Sequence, residues 1–184
     1  MKFYENVLKD KTMSAGEKIL YCYYISRSVV GEELNYATGG FEIDEELYKD
    51  GFTEYVPTPV WKVARDLRID RRQVRRVHQS LERKELVPGI SETGWRIRIR
   101  GDTLHPFFSA VEDCGLSGYD WIVYSYLKNA SAQYGIIDKR HESLAEKFGI
   151  HPVTLSNILS RLEAKGLIRR IRRPHTQFND VEVI

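Results

Sequence analysis

The densest chemistry in the chain lies in Ile69-Asp-Arg-Arg-Gln-Val-Arg-Arg-Val-His-Gln-Ser-Leu81. Asp70 can cap a helix, and Gln73 three residues on completes a capping-box pattern. Behind the cap, Val74, Val77 and Leu81 recur at helical spacing and predict one buried stripe. Arg71, Arg72, Gln73, Arg75 and Arg76, with Gln79 one turn later, are left to face outward. Guanidinium groups crowded this closely repel one another unless an anion meets them. The phosphate backbone of a duplex is such an anion, and Arg can also take a guanine edge bidentately. A solvated charged face is the competing explanation.

The charge balance of the whole chain supports a polyanionic partner. A chain of 184 residues, 42% hydrophobic, holds one large domain or two small ones. Its net charge of +2 is unevenly spread. Between residues 31 and 54, Glu32, Glu33, Glu42, Asp44, Glu45, Glu46, Asp50 and Glu54 face only Lys49, a net of −7 that leaves +9 for the rest. The chain reads as a basic protein carrying an acidic insert.

Other function classes find little support. A relaxase or rolling-circle nuclease needs paired metal-binding histidines, whereas His78, His105, His141, His151 and His175 are scattered. No Gly-x-x-x-x-Gly-Lys phosphate loop, Ser-His-Asp grouping or Cys-His pairing is legible. Cys22 and Cys114 stand in unrelated contexts and give neither a disulfide framework nor a metal pair. The expectation is a non-enzyme with no cofactor and no metal. The start Met-Lys-Phe-Tyr-Glu-Asn lacks a signal-peptide core, and no run reaches 18 apolar residues. A cytoplasmic protein without a membrane association is expected.

The elements that must position the arginines are written twice. Residues 2–12 read as a lead-in strand or arm. Ser14 caps a helix with Glu17 at the capping-box position, and Ile19-Leu-Tyr-Cys-Tyr-Tyr-Ile25 is apolar nearly all round, as a buried helix requires. The acidic insert 31–54 follows, with a hairpin or loop suggested at Gly39-Gly40 between Tyr36 and Phe41. Tyr55-Val56-Pro57 reads as a short strand and 60–67 as a short helix. A turn at Arg68-Ile69 then leads into the Arg-rich helix. Leu86-Val87 and Trp95-Arg-Ile-Arg-Ile-Arg100 read as two strands around a turn at 91–94, with Arg96, Arg98 and Arg100 on one face.

After Gly101-Asp102 the pattern restarts. At an offset of 103, Ser14, Ile19, Tyr21 and Tyr23 meet Ser117, Ile122, Tyr124 and Tyr126. At an offset of 81, Ala64, Ile69, Leu81, Glu82, Lys84 and Leu86 meet Ala145, Ile150, Leu162, Glu163, Lys165 and Leu167. The insert accounts for the change of offset. This predicts an internal duplication with one elaborated copy. In the second copy Ile136-Ile137 makes a strand and 141–148 a short helix. Gly149 makes the tight turn, and a helix starts at His151-Pro152.

The order helix, strand, helix, tight turn, helix, hairpin resembles the winged-helix class of helix-turn-helix DNA-binding domains. Ser143-Leu-Ala-Glu-Lys-Phe-Gly-Ile-His-Pro-Val-Thr-Leu-Ser-Asn-Ile-Leu-Ser-Arg-Leu-Glu-Ala-Lys-Gly-Leu-Ile168 is similar to its motif. In the first copy Arg68 stands where a residue tolerant of left-handed geometry is usual, at a cost of about 1 kcal/mol. The opening from Phe3 through Ser14-Ala-Gly-Glu-Lys-Ile-Leu-Tyr also resembles DNA-binding proteins of plasmids and phages. These are replication initiators, replisome organisers and conjugative-transfer accessory proteins. Tandem winged-helix proteins of conjugative type IV secretion systems are similar in size and layout.

The resemblance implies a mainly α fold with small β-hairpins. It divides into two tandem winged-helix domains, residues 1–101 with the insert and residues 102–184, forming an internal pseudo-dimer. It also implies double-stranded DNA as partner, with recognition helices from Arg71 and from Pro152 addressing major grooves about 34 Å apart. In the second copy the exposed set is Thr154, Ser156, Asn157 and Ser160, which is neutral. Its cations sit in the hairpin, as Arg169, Arg170, Arg172 and Arg173. The function expected is sequence-specific DNA binding by an accessory or origin-binding protein of a plasmid, phage or conjugative element. The alternatives are a transcriptional regulator using the same helices and a protein-interaction module. The insert should face away from DNA, as a solvated elaboration or as a dock for replication or transfer proteins. A monomer is expected.

Overall fold

The computed structural model describes residues 1–29, 32–35, 40–43, 52–55, 58–87, 95–98, 106–112, 114–134, 141–172 and 179–184. In chain order β1 (Lys2–Tyr4), α1 (Glu5–Lys9) and α2 (Ala15–Ile25) come first. Short strands follow: β2 (Ser28–Val29), β3 (Glu32–Asn35), β4 (Gly40–Ile43) and β5 (Phe52–Tyr55). Then come α3 (Val60–Leu67), α4 (Arg71–Arg83), β6 (Trp95–Arg98) and β7 (Pro106–Ser109). The chain closes with α5 (Gly118–Tyr134), α6 (His141–Lys147), α7 (Pro152–Ala164), β8 (Ile168–Arg172) and β9 (Asn179–Val183). It is mainly helical with small antiparallel hairpins, as expected.

The chain forms two compact units, one of Gly16–Leu104 and one of Met1–Ala15 with His105–Ile184. The boundary at 101/102 assigned residues 1–15 to the first half, and the structure corrects this. Lys2 and Phe3 pair antiparallel with Ser109 and Phe108, so β1 belongs with β7.

In the unit of residues 16–104, α2 is buried along nearly its whole length, from Glu17 to Ile25. Its core contains Leu20, Tyr21, Val63, Val74, Leu81 and Leu86. Polar groups caught inside are matched. Buried Glu17 accepts from Ser80 Oγ at 2.8 Å and pairs with Lys84 Nζ at 2.6 Å. Tyr24 Oη lies 2.9 Å from Nδ1 of His78, which is buried on the inner side of α4. Val77, placed in the core stripe by its spacing, is only half-buried, and His78 takes the deeper position.

The sheet of this unit runs β2-β5-β6. The strand anticipated at Leu86-Val87 is instead a buried bend, and β6 pairs with β5, Tyr55 opposite Trp95 and Thr53 opposite Ile97. The acidic insert does contain a hairpin, with Glu32–Asn35 in register with Ile43–Gly40. Its turn, including Tyr36, lies outside the described residues, as do the turn at 91–94 and the strand at Ile136-Ile137.

In the unit of residues 1–15 and 105–184, α5, α6 and α7 bury Ile122, Leu127, Leu144, Phe148, Leu155, Ile158, Leu159 and Leu162. Phe3 is fully buried against Phe108, 5.0 Å between ring centroids, and Trp121, 5.8 Å. Asp120, in the first turn of α5, accepts from Arg161 Nε on α7 at 2.9 Å. The β8–β9 hairpin runs in register from Ile168↔Val183 to Arg172↔Asn179.

The two units share local geometry at a fixed spacing. α4 and α7 each hold 13 residues, and α7 starts and ends 81 positions after α4. The turn before each is left-handed, at Arg68 with φ 53° and at Gly149 with φ 61°. The second residue past each helix repeats this, Glu85 at φ 55° and Gly166 at φ 70°. A left-handed conformation costs a side-chain-bearing residue about 1 kcal/mol, so Arg68 and Glu85 carry strain that Gly149 and Gly166 avoid.

Candidate nucleic-acid interface

α4 starts where Asp70 Oδ1 accepts from Arg72 N at 2.7 Å, which satisfies one of the donors that open a helix. The inner stripe fixes the rotation of the helix, because Val74, His78 and Leu81 are buried. Arg71, Arg72, Gln73, Arg75, Arg76 and Gln79 are consequently all exposed, as their spacing predicts. Among the described residues no carboxylate pairs with any of these four arginines.

The contrast with the other cations of the unit is informative. Arg27 reaches Asp66 at 3.0 Å and stacks over Tyr23 at 4.9 Å. Lys84 is held by Glu17, and Arg65 lies 5.4 Å above the ring of the half-exposed Trp61. Asp66 therefore serves Arg27 together with Tyr23 Oη, 2.8 Å away, and Asp70 serves the cap. Asp66 and Asp70, which flank the start of α4, are thus both engaged elsewhere. Its first two turns present four arginines that no carboxylate among the described residues meets. Arg96 and Arg98 lie in β6 on either side of buried Ile97, in register with Glu54 and Phe52 of β5.

α7 presents different chemistry in the same helical position. His151 Nδ1 accepts from Val153 N at 3.2 Å, which caps the helix, and Pro152 occupies the first turn. Leu155, Ile158, Leu159 and Leu162 are fully buried, which turns Thr154, Asn157 and Ser160 outward, while Ser156 is half-buried. Ser160 Oγ donates back to Ser156 O at 3.0 Å, which engages that hydroxyl within the helix.

Two exposed residues of this face, His151 and Val153, were not singled out in the sequence. The signal was present. Val153 lies off the stripe of Leu155, Ile158, Leu159 and Leu162, so helical periodicity alone turns it to solvent.

The hairpin arginines are less available than the sequence suggests. Glu163 accepts from both the backbone N of Arg170, at 3.0 Å, and its Nε, at 2.7 Å. The hydrogen bond from the Arg170 side chain, then that from its backbone, holds the Glu163 carboxyl below its usual 4.5. Arg170 thus ties the end of α7 to β8. Arg169 donates from Nε to Glu182 Oε2 at 2.8 Å across the hairpin, where the two are register partners. That pair is exposed and worth about 0–1 kcal/mol. Of the four hairpin arginines expected to carry the positive charge of this copy, Arg170 has its guanidinium engaged by Glu163. Arg172 lies in β8, and Arg173 falls outside the described residues.

Among the described residues no group of three His, Cys, Asp or Glu side chains could hold a metal ion, and no helix is long and apolar enough to cross a membrane. No curated protein matches the chain. Residues 123–183, from within α5 to the end of β9, match the family profile of a Crp-like helix-turn-helix domain, which supports DNA as a partner of the chain.

Proposed function

We propose that the chain binds double-stranded DNA sequence-specifically through two recognition helices, α4 and α7, and catalyses no reaction. The observation that carries this reading is the state of Arg71, Arg72, Arg75 and Arg76. They are exposed and lack carboxylate partners among the described residues, on the helix that corresponds, 81 positions earlier, to α7 of the matched domain. Four guanidinium groups held apart from acids are suited to phosphate oxygens and guanine edges.

In this reading the two units are winged-helix copies produced by internal duplication, a covalent pseudo-dimer that needs no second chain. The equal lengths of α4 and α7 and the paired left-handed positions support it. Because the two helices differ in chemistry, the site is not a palindrome. The protein serves a plasmid, phage or conjugative element as an accessory or origin-binding factor. The acidic insert is directed away from the duplex and is available to replication or transfer proteins.

A transcriptional regulator uses the same helices, and the Crp-like match favours that second reading. The deciding experiment is footprinting of the full chain on the DNA flanking its own gene. Protection over an origin or transfer region supports the accessory role, and protection over a promoter supports regulation. A chain that ignores duplex DNA at low ionic strength overturns both and leaves a protein-interaction role.

A further inference from the structure

We propose that α7 reads A·T base pairs, with the methyl groups of Val153 and Thr154 seated against thymine C5-methyls and Asn157 on an adenine edge. This inference rests on the DNA-binding reading above and adds what the second helix recognises.

Val153 is 61% exposed. Nothing in the unit's own packing asks for it. The stripe of Leu155, Ile158, Leu159 and Leu162 is complete without it. A β-branched residue in a first helical turn gains nothing in helix propensity, and an acid there would suit the helix dipole better. Val153 and Asn157 are four apart and share one side of α7, with exposed Thr154 beside them. This side carries no charge: residues 152–160 contain neither acid nor base, and the next cation, Arg161, is engaged by Asp120.

In the major groove the thymine methyl is the apolar feature of the base edges, and Asn pairs bidentately with N6 and N7 of adenine. Val153, Thr154 and Asn157 match that pair and offer nothing bidentate to guanine. The arginines of α4 offer the reverse. The target is therefore chemically divided, with guanines under α4 and A·T pairs under α7.

The test uses the full chain. A site is selected from a random duplex pool, and each thymine in it is replaced singly by uracil, which lacks only the methyl. At one or two positions uracil should weaken binding about fourfold, the value of one buried methyl-sized group. Val153→Ala should weaken binding to the thymine site by a similar factor and show no further loss with uracil there. Arg72→Ala should keep the full uracil penalty. Circular dichroism of Val153→Ala confirms folding, and Val153→Thr, which keeps a methyl, should restore part of the discrimination. Specific binding with a uracil penalty that Val153→Ala retains, or with no penalty at any thymine, overturns this inference and leaves DNA binding standing. Failure to bind any duplex overturns both.

Discussion

Gly149 and Lys9 approach so closely that a Cβ atom on the glycine would lie 2.7 Å from the Lys9 carbonyl oxygen, and 3.0 Å from that of Leu8. The turn between α6 and α7 is therefore left-handed and also seats the start of the chain. Glu5 reinforces the arrangement from the same segment, with Lys9 Nζ at 3.0 Å and Lys147 of α6 at 3.5 Å.

Gly149→Ala meets two costs at once, the positive φ and backbone oxygens that cannot swing aside. It should lower stability by about 2–4 kcal/mol in urea denaturation of the full chain. Arg68→Gly, at the corresponding left-handed position of the other unit, should have the opposite sign, a gain of up to about 1 kcal/mol.

Arg72→Ala and Arg75→Ala remove exposed side chains and should leave the unfolding midpoint unchanged. Each should weaken specific DNA binding by roughly 1–3 kcal/mol in a gel-shift titration. Each arginine that holds a phosphate should also contribute about one to the slope of log affinity against log salt, so Arg75→Ala flattens it by that amount if its contact is to the backbone. Undiminished binding in both variants would count against α4 as a reader.

Much of this surface was legible in the sequence because it is set locally. A cap at Asp70, a proline after His151 and apolar residues at helical spacing fix both the rotation of α4 and α7 and which side chains face out. The hairpin of the insert follows from its glycines in the same way. What was missed depends on distant partners. Nothing in Lys2–Tyr4 announces that its strand partner is Pro106–Ser109, and nothing in Trp95–Arg98 says that it pairs with Phe52–Tyr55 rather than with its neighbour. Arg170 reads as a free cation until the fold brings Glu163 to it.

Phe3→Ala should cost about 3–5 kcal/mol, because a fully buried ring packed on Phe108 and Trp121 leaves a cavity. The loss should appear as earlier unfolding of the unit that contains α7. Amide exchange followed through α5 and α7 would locate it.

Glu163 gives this unit a defined response to acid. Its folded carboxyl titrates below the usual 4.5, so its contribution is complete above 4.5 and disappears as pH falls through the lower folded value. The pair is partly solvated, so the effect is at most about 1 kcal/mol. Glu163→Gln should be slightly less stable at neutral pH, and the difference from wild type should vanish as pH falls through the lowered folded value, as read by thermal midpoints across an acid series.

Replacing residues 31–50 by a short Gly-Ser link should leave DNA affinity unchanged, provided Phe52–Tyr55 is spared, since that strand pairs with β6. A replicon that then fails in maintenance or transfer would assign the acidic hairpin to partner docking.

The pairing of β1 with β7 also sets an order of events at the ribosome. Phe3 is made well before its strand partner Phe108, which follows only after residues 16–104 have passed. The unit bearing the Crp-like match thus brackets the other in the chain and closes only once residues 105 onward have been made. A nascent chain stalled before residue 105 would be released with an uncovered apolar edge, a template for aggregation.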